Sequence, residues 1–277
     1  MARSVFEDAE FETLLCDTPR PGVARIVLNR PSKLNAYTFL MTQELQAAIA
    51  AYRDQDALKA LIISGAGAKA FCSGGDISGE NTAHLERVRA ETLGYAREMR
   101  EGMQAVVAAL HRLDKPSLAM IQGYAVAGGL ALALGCDFRF AAESAKLGDT
   151  SNKSGLLPDE GGAWLFPRAM GFDRALKMSL LSEVYDAHVA LGVGLVTEVV
   201  PDALLEDRCL SFCQTLAQKA PLAMRLTKIM MLRAANLTLE ESMTDAQLAV
   251  MVTNPSADAR EGVRAFREKR APKFEGR

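Results

Sequence analysis

The sequence predicts an α/β fold with a mainly parallel sheet and an all-helical C-terminal part. Over the first two thirds of the chain, short aliphatic and β-branched runs alternate with amphipathic helical stretches. This order is typical of a parallel sheet covered by helices. From about Pro201 onward the pattern is helical, with prolines as punctuation. We therefore expect an α/β core over residues 1–200 and a helical region over residues 201–277.

The individual elements follow from local pattern. Strands are predicted where β-branched and aliphatic residues run together, at residues 23–28, 60–64, 117–122, 138–141 and 194–200. Helices are predicted at residues 41–52 and, as one long amphipathic stretch, at residues 83–113. Residues 118–136 carry no charge, but Gln122 and four glycines argue against a membrane span. We expect a buried strand, a glycine turn and a short buried helix there.

Charge and cysteine usage exclude several classes of protein. The 277 residues include 32 Lys and Arg against 34 Asp and Glu, a net charge of −2 that predicts no nucleic-acid or membrane surface. An anionic ligand would therefore have to be bound by a few positively charged or N–H groups close to its site. Five cysteines without a C-x-x-C pair, and an acidic rather than apolar N-terminal stretch, favour reduced thiols and a cytoplasmic location. The three histidines have no metal-binding spacing, and no metal is expected.

Paired glycines follow two of the predicted strands, at Gly74-Gly75 and at Gly128-Gly129. Ligands bind at the carboxyl ends of parallel strands, and glycine lets backbone N–H groups approach a ligand closely. Two convergent N–H groups form an oxyanion hole. Tight turns alone would explain the pairs equally well. A G-x-G-x-x-A match at residues 65–70 is not interpreted as a dinucleotide site, because the sequence after it breaks any helix.

Six motifs give the chain a resemblance to the enoyl-CoA hydratase/isomerase (crotonase) superfamily over nearly its whole length. They are LNRP at 28–31, LNA at 34–36, AFCSGGD at 70–76, QGYAVAGG at 122–129, GLLPDEGG at 155–162 and FREKR at 266–270. The resemblance implies a spiral of ββα units with helical C-terminal packing, in a homotrimer or a dimer of trimers. It also implies an acyl-CoA thioester substrate, with CoA as part of the substrate and no separate cofactor.

The resemblance assigns roles by position. The oxyanion hole falls on the N–H groups of Gly75 and Gly128. CoA contacts fall on Lys33 and Leu34, and on Phe266 and Lys269, where a helix often reaches the CoA of a neighbouring subunit. Further substrate contacts are expected from residues beside the glycine motif and from one later serine: Ser73, Asp76, Ile77 and Ser151. Region 201–277 is expected to carry the trimer contacts.

The two carboxylates that a hydratase of this family uses are missing. Their positions are occupied by Ala131 and Ser151, while Asp149 lies two residues before the second position. Activating water without either carboxylate would require another base, which disfavours a hydratase of the familiar mechanism.

Two adjacent acids follow in the PDEGG segment. Asp159 aligns with the catalytic carboxylate of several double-bond isomerases of the family, and Glu160 with the nucleophile of aroyl-CoA dehalogenases. A single carboxylate held in an apolar pocket can move a proton along an acyl chain. We expect a 1,3 proton shift using Asp159. A hydratase with non-standard acid and base groups, a hydrolase-like or dehalogenase-like enzyme, a non-catalytic protein, and a plain surface turn at 158–162 remain open.

Overall fold

The computed structural model describes residues 6–7, 10–78 and 82–277, with side chains omitted for 82–85. Ten strands lie in the described chain: β1 (Leu14–Arg20), β2 (Val23–Leu28), β3 (Ala60–Gly65), β4 (Ala70–Cys72), β5 (Ser117–Ile121), β6 (Tyr124–Val126), β7 (Phe138–Ala142), β8 (Lys146–Gly148), β9 (Val184–Asp186) and β10 (Glu198–Val200).

Helices cover the sheets and form the C-terminal part. Twelve α-helices lie within the same described ranges: α1 (Phe39–Asp54), α2 (Thr82–Ala90), α3 (Gly94–Glu101), α4 (Met103–Arg112), α5 (Gly128–Gly135), α6 (Gly162–Met170), α7 (Phe172–Leu181), α8 (Ala187–Val193), α9 (Leu205–Ala217), α10 (Pro221–Ala234), α11 (Leu239–Thr253) and α12 (Ala257–Arg267).

The strands form two sheets. The larger has the order β1-β2-β3-β5-β7-β10, parallel throughout except for the β1–β2 hairpin. The smaller has the order β4-β6-β8-β9, with only β8 and β9 antiparallel. The predicted parallel α/β core is therefore confirmed. Its strands carry continuous aliphatic runs because parallel strands are buried on both faces; all six residues of β3 are buried.

The single helix expected over residues 83–113 is wrong: the chain there forms α2, α3 and α4. Glycines explain the breaks. A Cβ at Gly94 would overlap the Val88 carbonyl, so the chain turns back on itself between α2 and α3. Gly102, between α3 and α4, has φ −92° and ψ −118°, which is not helical. The strand expected at 194–200 is also shorter, because Gly194 ends α8 in the left-handed region at φ +93°.

The uncharged segment 118–136 forms the predicted strand, β5, and the predicted buried helix, α5, with the short strand β6 between them, which was not predicted. All eight residues of α5 are buried. Within the described part of the chain, no helix is long and apolar enough to cross a bilayer.

Helix α10 docks on the core through ion pairs. Lys228 Nζ in α10 donates to Asp137 Oδ2 at 2.6 Å, and Arg225 Nε donates to Asp114 Oδ2 at 2.6 Å. Asp137 also accepts hydrogen bonds from the Ser117 N–H and hydroxyl at the start of β5. The Asp137 carboxylate thus links α10 to β5 of the larger sheet.

The parallel pairing of β4 with β6 places both glycine pairs at one edge of the smaller sheet. Tyr124 pairs with Ala70, and Ala125 with Cys72. Gly129 then packs α5 directly against the end of β4, since a Cβ at Gly129 would overlap the carbonyl oxygen of Cys72. The close approach of helix and strand requires glycine at this position.

We predict that Gly129→Ala lowers the free energy of unfolding by about 2–3 kcal/mol, because the added methyl group must push α5 away from β4. Urea denaturation provides the measurement. Gly192→Ala is the matched control: Gly192 lies in α8 with nothing within 4 Å of its missing Cβ, so alanine should be neutral or slightly stabilising. Equal stability of the two variants would contradict this packing argument.

Candidate active site

The first glycine loop is held by the chain that precedes α1. The Tyr37 N–H donates to the Gly74 carbonyl and the Asp76 N–H donates to the Tyr37 carbonyl, each at 2.9 Å. The Asp76 carboxylate accepts from Arg30 Nη2 at 2.7 Å. Burial raises the pKa of Asp76, but hydrogen bonds from Ser78 and Arg30 outweigh it and lower this pKa to about 2. Asp76 therefore ties two of the sequence motifs together as a permanent anion.

The asparagine of the LNA motif organises the same region. Asn35 is fully buried and has φ +53°. Its Nδ2 donates to the Ala66 and Ala70 carbonyls at 3.0 and 2.8 Å, and its Oδ1 accepts from the Arg30 N–H at 3.0 Å. Asparagine tolerates this left-handed conformation better than most residues. The motif thus serves to fix the loop before the first glycine pair.

The second glycine pair begins α5. Gly128 is its first residue, so the Gly128 N–H has no partner within the helix. In the described chain, neither the Gly75 N–H nor the Gly128 N–H donates to a backbone carbonyl. A Cβ at Gly74 would lie 3.5 Å from the Gly128 nitrogen. The two loops therefore meet, and neither N–H group is taken up by a backbone carbonyl of the described residues.

A tyrosine and a glutamate pack against the second glycine loop where the two loops meet. Tyr37 Oη donates to Glu160 Oε1 at 2.6 Å. A Cβ on Gly128 would overlap Glu160 Oε1 and lie 2.6 Å from Tyr37 Oη, so both side chains pack directly against the glycine backbone. Glu160 is 6% exposed, and its Oε2 is buried without a hydrogen-bond partner among the described residues. The carboxyl group that packs against Gly128 thus has one buried oxygen without a partner among the described residues.

Burial changes the titration of this cluster. Desolvation raises the pKa of Glu160 to about 7; the Asp159 carboxylate adds to the rise and the Tyr37 hydroxyl opposes it. Burial also raises the pKa of Asp159, with a contribution from the charge of Asp149. The pKa of Tyr37 is raised well above 10 by burial and by Glu160, so its hydroxyl keeps its proton. The site therefore contains a carboxyl group that gains and loses a proton near neutral pH.

The PDEGG segment is not the plain surface turn that remained open. Helix α6 begins at Gly162, and neither Asp159 nor Glu160 caps it with a side chain. Asp159 is partly buried, and its carbonyl accepts from Gln104 Nε2 at 2.7 Å, which ties the segment to α4.

A cavity of about 550 Å³ opens at this cluster and has room for an acyl chain. Much of its wall is apolar, with Met99, Met103, Leu156 and Leu157. Eight of the residues predicted for the site line it: Lys33, Ser73, Gly75, Asp76, Ile77, Ser151, Asp159 and Glu160.

The remaining predicted residues lie outside the cavity lining. Gly128 packs against the Glu160 carboxyl group, which itself lines the cavity. Leu34 is 38% exposed beside Lys33. Phe266, on α12, is 85% exposed, and Lys269 follows that helix at φ +54°. A contact from these two to the CoA of another subunit remains a prediction.

The two positions of the missing hydratase carboxylates differ in character. Ala131 is fully buried inside α5. Ser151 lines the cavity, and its hydroxyl and N–H both donate to Asp149 Oδ1, at 2.7 and 3.1 Å. Asp149 is fully buried, and its Oδ2 has no partner within the described residues. The serine therefore presents hydroxyl lone pairs to the cavity, backed by a carboxyl group.

Tyr37 was not predicted. It follows the LNA motif without any pattern that marks a functional residue, and it reaches Glu160 across 123 positions of sequence. Only the folding of the first loop onto the second brings the pair together. Among the described residues, no group of three or more His, Cys, Asp and Glu side chains could hold a metal ion.

We predict that Glu160 makes the folded protein less stable as pH rises from about 4.5 to 7. In this window the folded protein keeps a proton on Glu160 that the unfolded chain, with the ordinary pKa of 4.5, has released. The loss approaches about 3 kcal/mol at about 1.4 kcal/mol per pKa unit. Glu160→Gln cannot ionise, so its stability relative to the wild type should increase across this window in urea unfolding.

Glu183→Gln provides the control for this titration. Glu183 also accepts a hydrogen bond from a tyrosine, Tyr185, at 2.6 Å, but Tyr185 and Lys177 lower its pKa. Its variant should therefore lack the gain between pH 4.5 and 7. Parallel pH dependence of Glu160→Gln and the wild type would contradict the raised pKa.

Comparisons with known proteins identify the family of the chain. The model of the enoyl-CoA hydratase/isomerase family matches residues 19–277. The (E)-benzylidenesuccinyl-CoA hydratase of Thauera aromatica is 35% identical over 254 residues, covering 92% of this chain and 96% of that protein. The 1,2-epoxyphenylacetyl-CoA isomerase of Escherichia coli K12 is 34% identical over 256 residues, covering 92% and 96%.

Solved structures show the same fold. An enoyl-CoA hydratase of Bacillus anthracis has a TM-score of 0.89 at 31% identity, covering 96% of this chain and 100% of that one. A putative enoyl-CoA hydratase of Streptomyces coelicolor A3(2) has a TM-score of 0.90 at 29% identity, covering 100% and 98%. The crotonase-like spiral with a helical C-terminal region is therefore confirmed. The chain belongs to the enoyl-CoA hydratase/isomerase family.

Proposed function

We propose that this protein is an acyl-CoA isomerase that moves a carbon–carbon double bond by a 1,3 proton shift. The observation that carries the proposal is the Glu160 carboxyl group, which is buried against Gly128 with a pKa of about 7 and has one oxygen without a partner among the described residues. A group that releases and regains a proton near neutral pH suits a reaction that removes a proton and returns it.

The Gly75 and Gly128 N–H groups are proposed to hold the thioester oxygen. Removal of a proton from the acyl chain sends its electron pair toward this oxygen, and the resulting enolate carries negative charge there. Two fixed N–H donors stabilise this charge without reorganising water. Gly128 also starts α5, whose N-terminal end adds positive potential at the same point.

The Asp159–Glu160 pair is proposed to carry the proton. One carboxylate takes the proton from one carbon, and the carboxyl group returns it two carbons away, so no atom is gained or lost. The resemblance points to Asp159, while the contacts with Gly128 and Tyr37 favour Glu160 as the group nearer the enolate. Both residues line the cavity and both have a raised pKa, which supports an acid–base role for the pair.

Lys33, at the cavity wall, is proposed to attract the CoA phosphates. Phe266 and Lys269 are proposed to reach the CoA of a neighbouring subunit in a trimer. A feature of the helical region supports assembly: α10 and α11 have no fully buried side chain, while Met231 and Met251 are 72% and 73% exposed.

Hydration by non-standard groups is the second candidate. Ser151 stands where a hydratase carboxylate is expected and donates to Asp149, two residues earlier, and the Thauera aromatica relative is named a hydratase. A water molecule could donate to the Ser151 hydroxyl while the Asp159–Glu160 pair exchanges protons. The two reactions differ in mass, because hydration adds water and isomerisation does not.

We expect Asp159→Asn and Glu160→Gln each to lower the isomerisation rate by at least 100-fold, with acyl-CoA affinity within about threefold of the wild type. The measurement is turnover of a panel of enoyl-CoA and aryl-CoA thioesters in ¹⁸O-labelled water, followed by absorbance and mass spectrometry. Glu183→Gln, outside the cavity, is the control. Product without ¹⁸O and without a mass change is the expected result.

Three outcomes would contradict the proposed isomerase. Labelled oxygen at a hydroxyl of the product would establish hydration. A covalent acyl-enzyme on Glu160 in intact-protein mass spectra would establish nucleophilic catalysis. Full turnover in both carboxyl variants would exclude the Asp159–Glu160 pair as the proton carrier.

A further inference from the structure

We infer that Tyr37 is a positioning residue whose hydroxyl holds Oε1 of Glu160, so that Oε2 is the oxygen that exchanges the proton with the acyl group. This inference rests on the function proposed above. The two oxygens of this carboxyl group then have different roles: Oε1 accepts the hydrogen bond that fixes the group, and Oε2 exchanges the proton.

The contacts of the two oxygens are unequal. Oε1 lies 2.6 Å from Tyr37 Oη and packs against the Gly128 backbone. Oε2 is buried, and within the part of the chain that the structure describes it has no hydrogen-bond partner. A buried carboxyl oxygen without a partner carries a free-energy cost that a native protein rarely tolerates unless the atom has a task. A proton from the substrate would satisfy it.

Tyr37 is itself held rigidly. Its N–H and carbonyl are paired with Gly74 and Asp76 at 2.9 Å, and its ring would lie 3.5 Å from a Cβ at Gly75. The phenol is therefore fixed to the first glycine loop while its hydroxyl holds the carboxyl beside the second. A single side chain sets the position of the proton-carrying group relative to both N–H donors, as pre-organised acid–base catalysis requires.

The direction of the hydrogen bond follows from which of the two groups keeps its proton. Tyr37 keeps its proton because burial raises its pKa well above 10, so Oη donates and Oε1 accepts. The other titratable groups facing Glu160 are Asp159, whose charge raises the pKa of Glu160, and the Cys72 thiol, which stays neutral because burial raises its pKa to about 12. Tyr37 is thus the neighbour that stabilises the ionised form of Glu160.

Tyr37→Phe tests this role, because it removes one oxygen and keeps the ring. We expect kcat at pH 7 to fall at least tenfold, with KM within about twofold. The acidic limb of the kcat–pH profile should move up by about one pH unit, since loss of a hydrogen bond to the charged form raises the pKa of Glu160. Activity should therefore recover in part at higher pH.

Tyr185→Phe is the matched control. Tyr185 also donates to a glutamate, Glu183, at 2.6 Å, but neither residue lines the cavity. Its profile should coincide with that of the wild type. If Tyr37→Phe does not fold, Glu160→Asp gives a second test, because a carboxyl one methylene shorter is drawn away from Tyr37 and should also lose kcat with KM retained.

Two results would overturn the inference. An unchanged profile in Tyr37→Phe would show that the hydroxyl is not used, and a lower rate with an unshifted profile would show that it only supports packing. Infrared difference spectra recorded against pH, with Glu160→Gln as reference, measure the pKa of Glu160 without relying on turnover. They therefore distinguish failure of the role of Tyr37 from failure of the proposed function. An upward shift of the Glu160 titration in a protein that isomerises no thioester would refute the proposed function; no shift would refute the role of Tyr37.

Discussion

The parallel pairing of β4 with β6 is the constraint on which the rest of the site depends. Parallel strands end at the same edge of a sheet, so the glycine loop that follows each strand is delivered to the same place. The close packing of Gly129 against Cys72 then brings the start of α5 into that edge. Two glycine loops that lie more than 50 residues apart in sequence thereby become neighbours in space.

A carboxyl group buried beside these N–H groups gains a property that the sequence does not display. In water Glu160 would be ionised at neutral pH, but burial and the adjacent Asp159 bring its pKa to about 7. The Tyr37 hydroxyl opposes this rise, so the pKa reflects burial and the Asp159 carboxyl group on one side and the hydrogen bond from Tyr37 on the other. The same burial weakens the folded state as pH rises, which is the thermodynamic counterpart of a reactive carboxyl group.

Much of the fold and part of the candidate site could be predicted from residue pattern. The aliphatic run at 60–64 predicts β3 because a strand buried on both faces has no polar alternation. The pattern gives a wrong prediction at 83–113. The apolar periodicity continues through Gly94 and Gly102, but the helix is interrupted at both glycines. Eight predicted site residues line one cavity because their motifs sit at strand and loop ends. The positions of Tyr95, Glu98 and Met99, which line part of that cavity, could not be derived from the sequence pattern.

The sequence by itself determined the alternation of strands and helices, the two glycine pairs, the absence of both hydratase carboxylates and the presence of two adjacent acids. Only the tertiary structure decided which polar atoms are paired and which are left unpaired. In the folded chain Tyr37 donates to Glu160 and Ser151 donates to Asp149. Each carboxyl group keeps one buried oxygen without a partner among the described residues. The physical reason is that desolvation and hydrogen bonding depend on neighbours in space, which linear spacing does not specify.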